Sequence, residues 1–499
     1  MYRSPGVYNK EIDESLYVAG AATAVTGMVG VAEKGPVGDP TLVTNWPQFV
    51  ETFGGFITDG YLAYAAKGFF DNGGSVLYVV RTAHYTDATD ASTLAAASST
   101  IDVTLQDGTT VAFTATATSP GTWADGLQVN VDFDTAQPYT VEVQDSAGTV
   151  LESFRNVQDT VLADTDYVEK VINGASRYIT VEVDAGSMDQ AASFTLTGGD
   201  DGLASIEDAD YIGDSAAKTG MYALDDVETL KMVAIPGIET PAVHTAVGTY
   251  AENRGTVFAV LGTPEGLGPT DVIDYRNGEG TYTHSSFAAP YASMYWPWVK
   301  MYDPLTASIV NVPVEGHVLG MIAQSDADTD VWFAPAGLNR GHLANVLGVE
   351  YKTTLGERDE VYDNDVNAIA SFRGDGVVVW GQKVLASKPS ALDRVNVRRL
   401  LNYMKESLRD TSRFLLFEPN DKRTWEAFKR FSVPFLQTIK DGRGLYDFAV
   451  VCDETTNTPY YIDNNQMVAK IFVKPTKAVE FLEIQYIVTG SGANFEELL

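Results

Sequence analysis

The chain has 499 residues, a net charge of -33, 45% hydrophobic residues and one cysteine. That length accommodates roughly three or four domains with cores of their own. One thiol excludes an intrachain disulfide, the charge disfavours nucleic acid as a direct partner, and no run of about 18 apolar residues offers a membrane span.

The charge is unevenly spread. Residues 82–340 carry 37 acidic side chains against 9 basic, and residues 341–499 carry 22 against 20. The middle reads as a solvated acidic body and the last third as the part that meets partners. The opening Met1-Tyr2-Arg3-Ser4-Pro5-Gly6 lacks the apolar run of a secretion signal, which predicts a soluble chain made in the cytoplasm.

In chain order, residues 1–17 scatter Val7, Ile12 and Leu16 among charges without a helical stripe, as an extended arm would. Thr23–Val31 reads as a strand. Asn45-Trp46-Pro47 reads as a capped helix start, Tyr61–Phe70 as a short helix and Ser75–Val80 as a second strand. Residues 86–100 are rich in Ala, Ser, Thr and Asp, and short alternating runs follow, among them Thr110–Ala115, Leu127–Phe133 and Tyr178–Val183. Such runs predict a β-rich domain inserted into an αβ one. Leu230–Ile235, Ala242–Glu252 and Thr256–Gly262 form a βαβ-like unit, and the aromatic run Ala288–Met301 reads as a buried strand. A helical piece begins near Gly316.

The clearest helix spans about 392–408, with Leu392, Val395, Leu400, Leu401, Met404 and Leu408 near helical spacing. Arg394, Arg398, Arg399, Lys405 and Arg409 leave it a basic face, which suits an acidic protein surface better than phosphate because no aromatic platform interleaves. A second helix runs from Lys422 to about Leu436. Strands are predicted over Leu445–Asp453, over Met467–Pro475, and around Phe481, Ile484 and Tyr486.

No catalytic chemistry stands out. Gly198-Gly199-Asp200-Asp201-Gly202 lacks the Lys-Ser/Thr of a phosphate loop and the spaced carboxylates of a calcium loop, so it reads as a turn. His84, His244, His284, His317 and His342 form no metal-ligand spacing, and no Gly-x-Ser-x-Gly elbow is present. Cys452, between Val451 and Asp453, reads as a buried small side chain. The residues therefore predict neither a catalytic site, nor a cofactor, nor a metal.

Several segments together resemble the phage tail sheath family. Ser4-Pro5-Gly6-Val7-Tyr8 is similar to its opening arm, Lys34-Gly35-Pro36 to its first turn, Gly121-Thr122-Trp123-Ala124-Asp125-Gly126-Leu127 to its Gly-x-Trp-Gly-Asn-x-Leu element and Ala334-Pro335-Ala336-Gly337 to its Ala-Pro-Ala-Gly segment. Ala124 and Asp125 depart from the commoner residues there. The last third carries the most: Asn396-Val397-Arg398-Arg399-Leu400, Phe417-Glu418-Pro419-Asn420 with Trp425, Asn457-Thr458-Pro459, and Lys474-Pro475 with Glu480-Phe481.

The resemblance implies a mixed α/β, multi-domain, sheath-like fold with a β-rich insert and extended terminal arms. Its expected parts are an arm over 1–20, an αβ segment over 21–85, the outer insert over 86–200, an αβ middle domain over 201–390, a tube-facing inner αβ domain over 391–478 and a second arm over 479–499. It further implies a non-enzymatic subunit of a contractile virion tail, assembled in the host cytoplasm. Its partners would be itself in stacked six-fold rings, the tail tube, and baseplate and terminator proteins, without nucleic-acid binding or membrane insertion. Val7, Tyr8, Ile12, Phe481, Ile484 and Tyr486 are the expected inter-subunit arm residues. Arg398, Arg399, Lys405 and Arg409 are the expected tube-facing cations. A tailocin or injection-system sheath, another tail component such as tube or baseplate, and a hydrolase or binding module are the alternatives.

Overall fold

The computed structural model describes residues 22–133, 138–184, 187–386, 388, 390–481 and 483. Two compact units divide the chain: Val18–Leu416, and Met1–Tyr17 with Phe417–Leu499. The first opens with β1 (Thr26–Gly30), β2 (Thr41–Val43), α1 (Trp46–Phe53), α2 (Leu62–Asp71) and β3 (Leu77–Arg81). The insert follows as β4 (Thr100–Thr104), β5 (Val111–Ala117), β6 (Gln128–Asp132), β7 (Tyr139–Gln144), β8 (Val150–Val157), α3 (Val168–Ile172), β9 (Ile179–Val183) and β10 (Ala192–Thr195). Then come α4 (Asp208–Ile212), β11 (Met232–Ala234), α5 (Pro241–Arg254), β12 (Phe258–Leu261), α6 (Pro269–Asn277), β13 (Ala292–Trp296), β14 (Val299–Asp303) and β15 (Ser308–Val312). The unit closes with α7 (Glu315–Asp328), β16 (Gly348–Val349), α8 (Leu355–Asp363), β17 (Val366–Phe372), β18 (Gly376–Val379) and α9 (Val395–Ser412). The second unit holds α10 (Lys422–Asp441), β19 (Leu445–Val451), α11 (Pro459–Asp463) and β20 (Lys470–Pro475).

Eight strands make one sheet in the order β18-β17-β13-β12-β11-β1-β3-β2. From β17 to β3 neighbouring strands are parallel, and β18 and β2 close the two edges antiparallel. Both faces are covered, so the inner strands read as unbroken apolar runs whose alternate residues enter different cores. Met28, Met232, Ala234, Phe258, Val260 and Tyr295 pack with α2 and α7. Val29, Val233, Ala259, Leu261, Met294 and Trp296 pack with α5 and α6. The predicted aromatic strand is in fact two, β13 and β14, separated by Pro297, which has no N–H to continue a ladder. Asn45 caps α1 as expected, its side chain accepting from the Gln48 N–H with Pro47 in the first turn.

The α2–α7 contact is close because glycine permits it. A Cβ on Gly316 would lie 2.1 Å from the Ala65 carbonyl oxygen, and one on Gly320 would lie 2.3 Å from that of Phe69. His317, between them in sequence, is fully buried against Gly68. Burial pushes its imidazole down to about 4, and burial likewise takes His244 down to about 3, from 6.5. Both pKa values lie below those of the unfolded chain, so stability is lost as pH falls from 6.5 toward these values. H317Q is therefore expected to lose less thermal stability than the parent chain on acidification through that window. Equal losses in the two proteins would refute this assignment.

The insert is a β-sandwich. β4-β5-β9 and β10-β6-β7-β8 enclose one core containing Val103, Phe113, Val129, Val141, Val181 and Leu196. Its root is fixed by Asp210 of α4, which accepts the Tyr85 N–H and bonds His84 Nδ1 at 3.0 Å. The buried Arg81 Nη1 bridges the carbonyls of Gly35 and Pro120 at 2.8 and 2.7 Å. The loop at 198–202 pairs Asp200 with Ala97 and has Gly198 and Gly202 at φ 82 and 68; glycine takes that conformation without Cβ strain.

Candidate assembly interface

The basic helix predicted from the sequence is α9, and the structure treats its cations unequally. Arg398 and Arg399 are 6% and 4% exposed. Arg399 grips Asp326 at the end of α7 with two hydrogen bonds of 2.7 and 2.5 Å, and its Nη2 also donates to the Thr23 carbonyl. Arg398 stacks over the Tyr291 ring at 4.2 Å. Lys405 is exposed and donates to the Tyr291 hydroxyl at 2.9 Å. Arg409 keeps 53% of its side chain exposed. Of the four residues expected to face a tube, Arg398 and Arg399 are thus committed inside their own chain, because most sides of the helix are packed and a buried charge requires a partner.

Residues that the sequence reading passed over complete this anchorage. Glu406 forms an ion pair of 2.7 Å with Lys231, both under 9% exposed. Burial holds the Lys231 ammonium below its ordinary range. The Asn402 amide reaches the Val257 carbonyl. Tyr291, Val257, Lys231 and Thr23 lie at or just before the amino ends of β13, β12, β11 and β1, so α9 is fastened across one end of the parallel sheet. The i, i+3, i+7 spacing of Arg399, Asn402 and Glu406 was a legible signal of a second packed stripe.

In the other unit, α10 buries Trp425, Phe428, Phe431, Phe435, Leu436 and Ile439 on one side. Asp421 caps it through the N–H groups of Arg423 and Thr424, and Trp425 Nε1 donates to Asn420 at 2.8 Å. β19 and β20 pair antiparallel and with nothing else among the described residues. Phe448, Val450, Ile471 and Val473 are half-buried, whereas Ala449, Phe472, Lys470 and Lys474 are exposed. Asn457 ties the connecting loop by donating to the Val468 carbonyl and accepting its N–H. Cys452 is buried beside it, and burial pushes its thiol up. A two-stranded ribbon is marginal alone, and its unpaired edges are templates for a further strand.

Of the predicted arm residues, Phe481 is described and is 82% exposed. Val7, Tyr8, Ile12, Ile484 and Tyr486 lie outside the described residues. Among the described residues no group of three or more His, Cys, Asp or Glu is placed to hold a metal ion. No described helix is long and apolar enough to cross a membrane.

The family models for the phage tail sheath protein central domain and the phage tail sheath C-terminal domain match residues 204–384 and 387–489, together more than half of the chain. The chain belongs to the phage tail sheath family. It is 34% identical over 241 residues to the tail sheath protein of Enterobacteria phage T4, covering 48% of this chain and 37% of that one. It is 30% identical over 354 residues to the tail sheath protein of Vibrio phage KVP40, covering 66% and 51%. The matched part thus spans about half or less of these relatives' length. Among solved structures, the sheath tail protein of Desulfitobacterium hafniense superposes with a TM-score of 0.60 at 13% identity, covering 94% of this chain and all of that one. The contracted sheath complex of the PVC extracellular contractile injection system superposes at 0.57 with 19% identity, covering 98% of both chains. At those identities the likeness is one of fold, and it extends over the mixed α/β, multi-domain architecture of this sheath-family chain.

Proposed function

We propose that the chain is the subunit of a contractile tail sheath, polymerising with copies of itself in stacked six-fold rings around a tail tube and shortening to drive that tube through a host envelope. The observation that carries this reading is the β19–β20 ribbon, whose two outer edges are unpaired among the described residues and whose outer face shows Phe472. Terminal segments of neighbouring copies, bearing Val7, Tyr8 and Ile12 at one end and Phe481, Ile484 and Tyr486 at the other, would add strands to it. Such a linkage carries many backbone hydrogen bonds at once and can persist while subunits turn as rigid bodies. The exposed cations Lys405 and Arg409 are the part of the α9 set available to a tube surface, and Arg423 and Arg430 present further exposed charge on α10. Baseplate and terminator proteins would close the two ends. The reading requires no cofactor and no catalysis, since the work is stored when the extended lattice assembles, and it places assembly in the host cytoplasm and the product in the virion.

Electron microscopy of the purified chain tests this. Wide hollow tubes are expected, alone or on addition of the tube protein. Removing residues 1–20 is expected to abolish the tubes while leaving the circular dichroism and thermal midpoint of the folded unit unchanged. Tubes that persist without that segment would overturn arm exchange, and no tubes even with the tube protein present would overturn the sheath reading.

A further inference from the structure

Two acidic side chains meet inside the parallel-sheet unit, away from every surface discussed above. Glu239 follows β11 and Glu315 begins α7. Both converge on Gly262, just past β12: a Cβ there would lie 2.6 Å from Glu315 Oε1 and 3.0 Å from Glu239 Oε1. The two carboxyl groups are within hydrogen-bonding reach of each other. The backbone N–H groups of Gly237, near both carboxyls, and of Glu315 and Gly262, near Glu315, favour the charged forms. Each carboxyl nevertheless keeps one buried oxygen without a donor, Oε1 of Glu239 and Oε2 of Glu315.

Among the described residues no ammonium or guanidinium is placed to neutralise the pair. Facing it are Glu265, Tyr61 and Tyr275, and Asp208 acts on Tyr275 from beyond. Tyr275 turns its hydroxyl to the Glu239 carbonyl and to His244 Nδ1, both at 2.8 Å. His244 is itself kept neutral by burial, with a pKa of about 3. Two carboxylates have no donor to offer each other and repel at this range.

We infer that Glu239 and Glu315 hold one proton between them, the O–H of one donating to an oxygen of the other, and that this bond pins the ends of β11 and β12 to the start of α7 as a latch that alkali releases. On release the proton passes to water, and two like charges are left face to face with Glu239 Oε1 and Glu315 Oε2 buried. Burial pushes Glu315 up from 4.5 to about 7 and Glu239 well above 4.5. A folded-state pKa above the unfolded one makes the folded chain the tighter proton binder. The latch therefore contributes fully below about 4.5, and its stabilisation is lost as pH rises through about 7.

The first test is infrared spectroscopy of the full chain near pH 6, where ordinary carboxyls of about 4.3 are ionised. A protonated-acid carbonyl band is expected in the parent chain and should be lost in both E315Q and E239Q. The second is thermal denaturation against pH. The side-chain amide introduced by E315Q can donate an N–H to the Glu239 carboxylate and does not titrate. E315Q should therefore gain on the parent by several degrees between pH 5 and pH 8. Absence of the acid band from the parent chain overturns the latch whether or not the variants fold. So do stability curves for E315Q and the parent that run parallel across that range.

Discussion

Asp326→Ala is expected to destabilise the folded chain by about 3–5 kcal/mol, the cost of leaving a buried guanidinium without its counter-ion. Arg399 and Asp326 are 4% and 5% exposed at the side chain and share two parallel N–H···O bonds. Alanine removes both acceptors and leaves Arg399 only the Thr23 carbonyl. Faster amide hydrogen exchange over 395–412 should accompany the drop in thermal midpoint. Replacing both partners by apolar residues, as in D326L/R399M, should recover most of the loss, because the penalty is the orphaned charge more than the absent bond. A D326A chain as stable as its parent would show that Arg399 has another outlet and that α9 is not held this way.

Gly316→Ala is the second large effect, and its sign opposes local propensity. Alanine favours a helix over glycine by about 1 kcal/mol. The new methyl group would sit 2.1 Å from the Ala65 carbonyl oxygen and 2.5 Å from its carbon, which are backbone atoms of α2 that cannot rotate away. The two helices must separate along a contact that also includes Gly320 against Phe69 and His317 against Gly68. Overpacking of this kind costs about 1–3 kcal/mol or more, so a net loss is expected in denaturant titration. Gly356 in α8 is the matched control: nothing lies within 4 Å of its added Cβ, and G356A should be neutral or stabilising by up to about 1 kcal/mol. A G316A chain as stable as G356A would mean that α2 and α7 do not pack this tightly in solution.

Much of this molecule was readable without coordinates. The apolar stretches that became β1, β3, β11 and β12 announced an αβ core, and the threonine-rich alternating runs after residue 100 announced a β-rich insert, though not its two-sheet packing. Asn45 and the glycines of the loop at 198–202 carried their local geometry in their own side chain or lack of one. The α9 helix was legible from its period, and the resemblance over residues 396–481 pointed to the family that the comparisons show.

Short-range periodicity and turn chemistry settle such features because they depend on neighbours in sequence. Which polar residues become buried depends instead on what the topology brings together. Arg399 read as a partner-facing cation until the fold carried Asp326, 73 residues away, to its fork. Lys231 and Glu406 are separated by 175 residues, and no local pattern pairs them. The acid pair of Glu239 and Glu315 exists only because the segments after β11 and β12 and the start of α7 meet at one point. The sequence by itself determined the element types, the inserted β-domain and the family. Only the tertiary structure decided which cations are spent within the chain and which stay exposed, because burial and charge pairing are properties of packed surfaces.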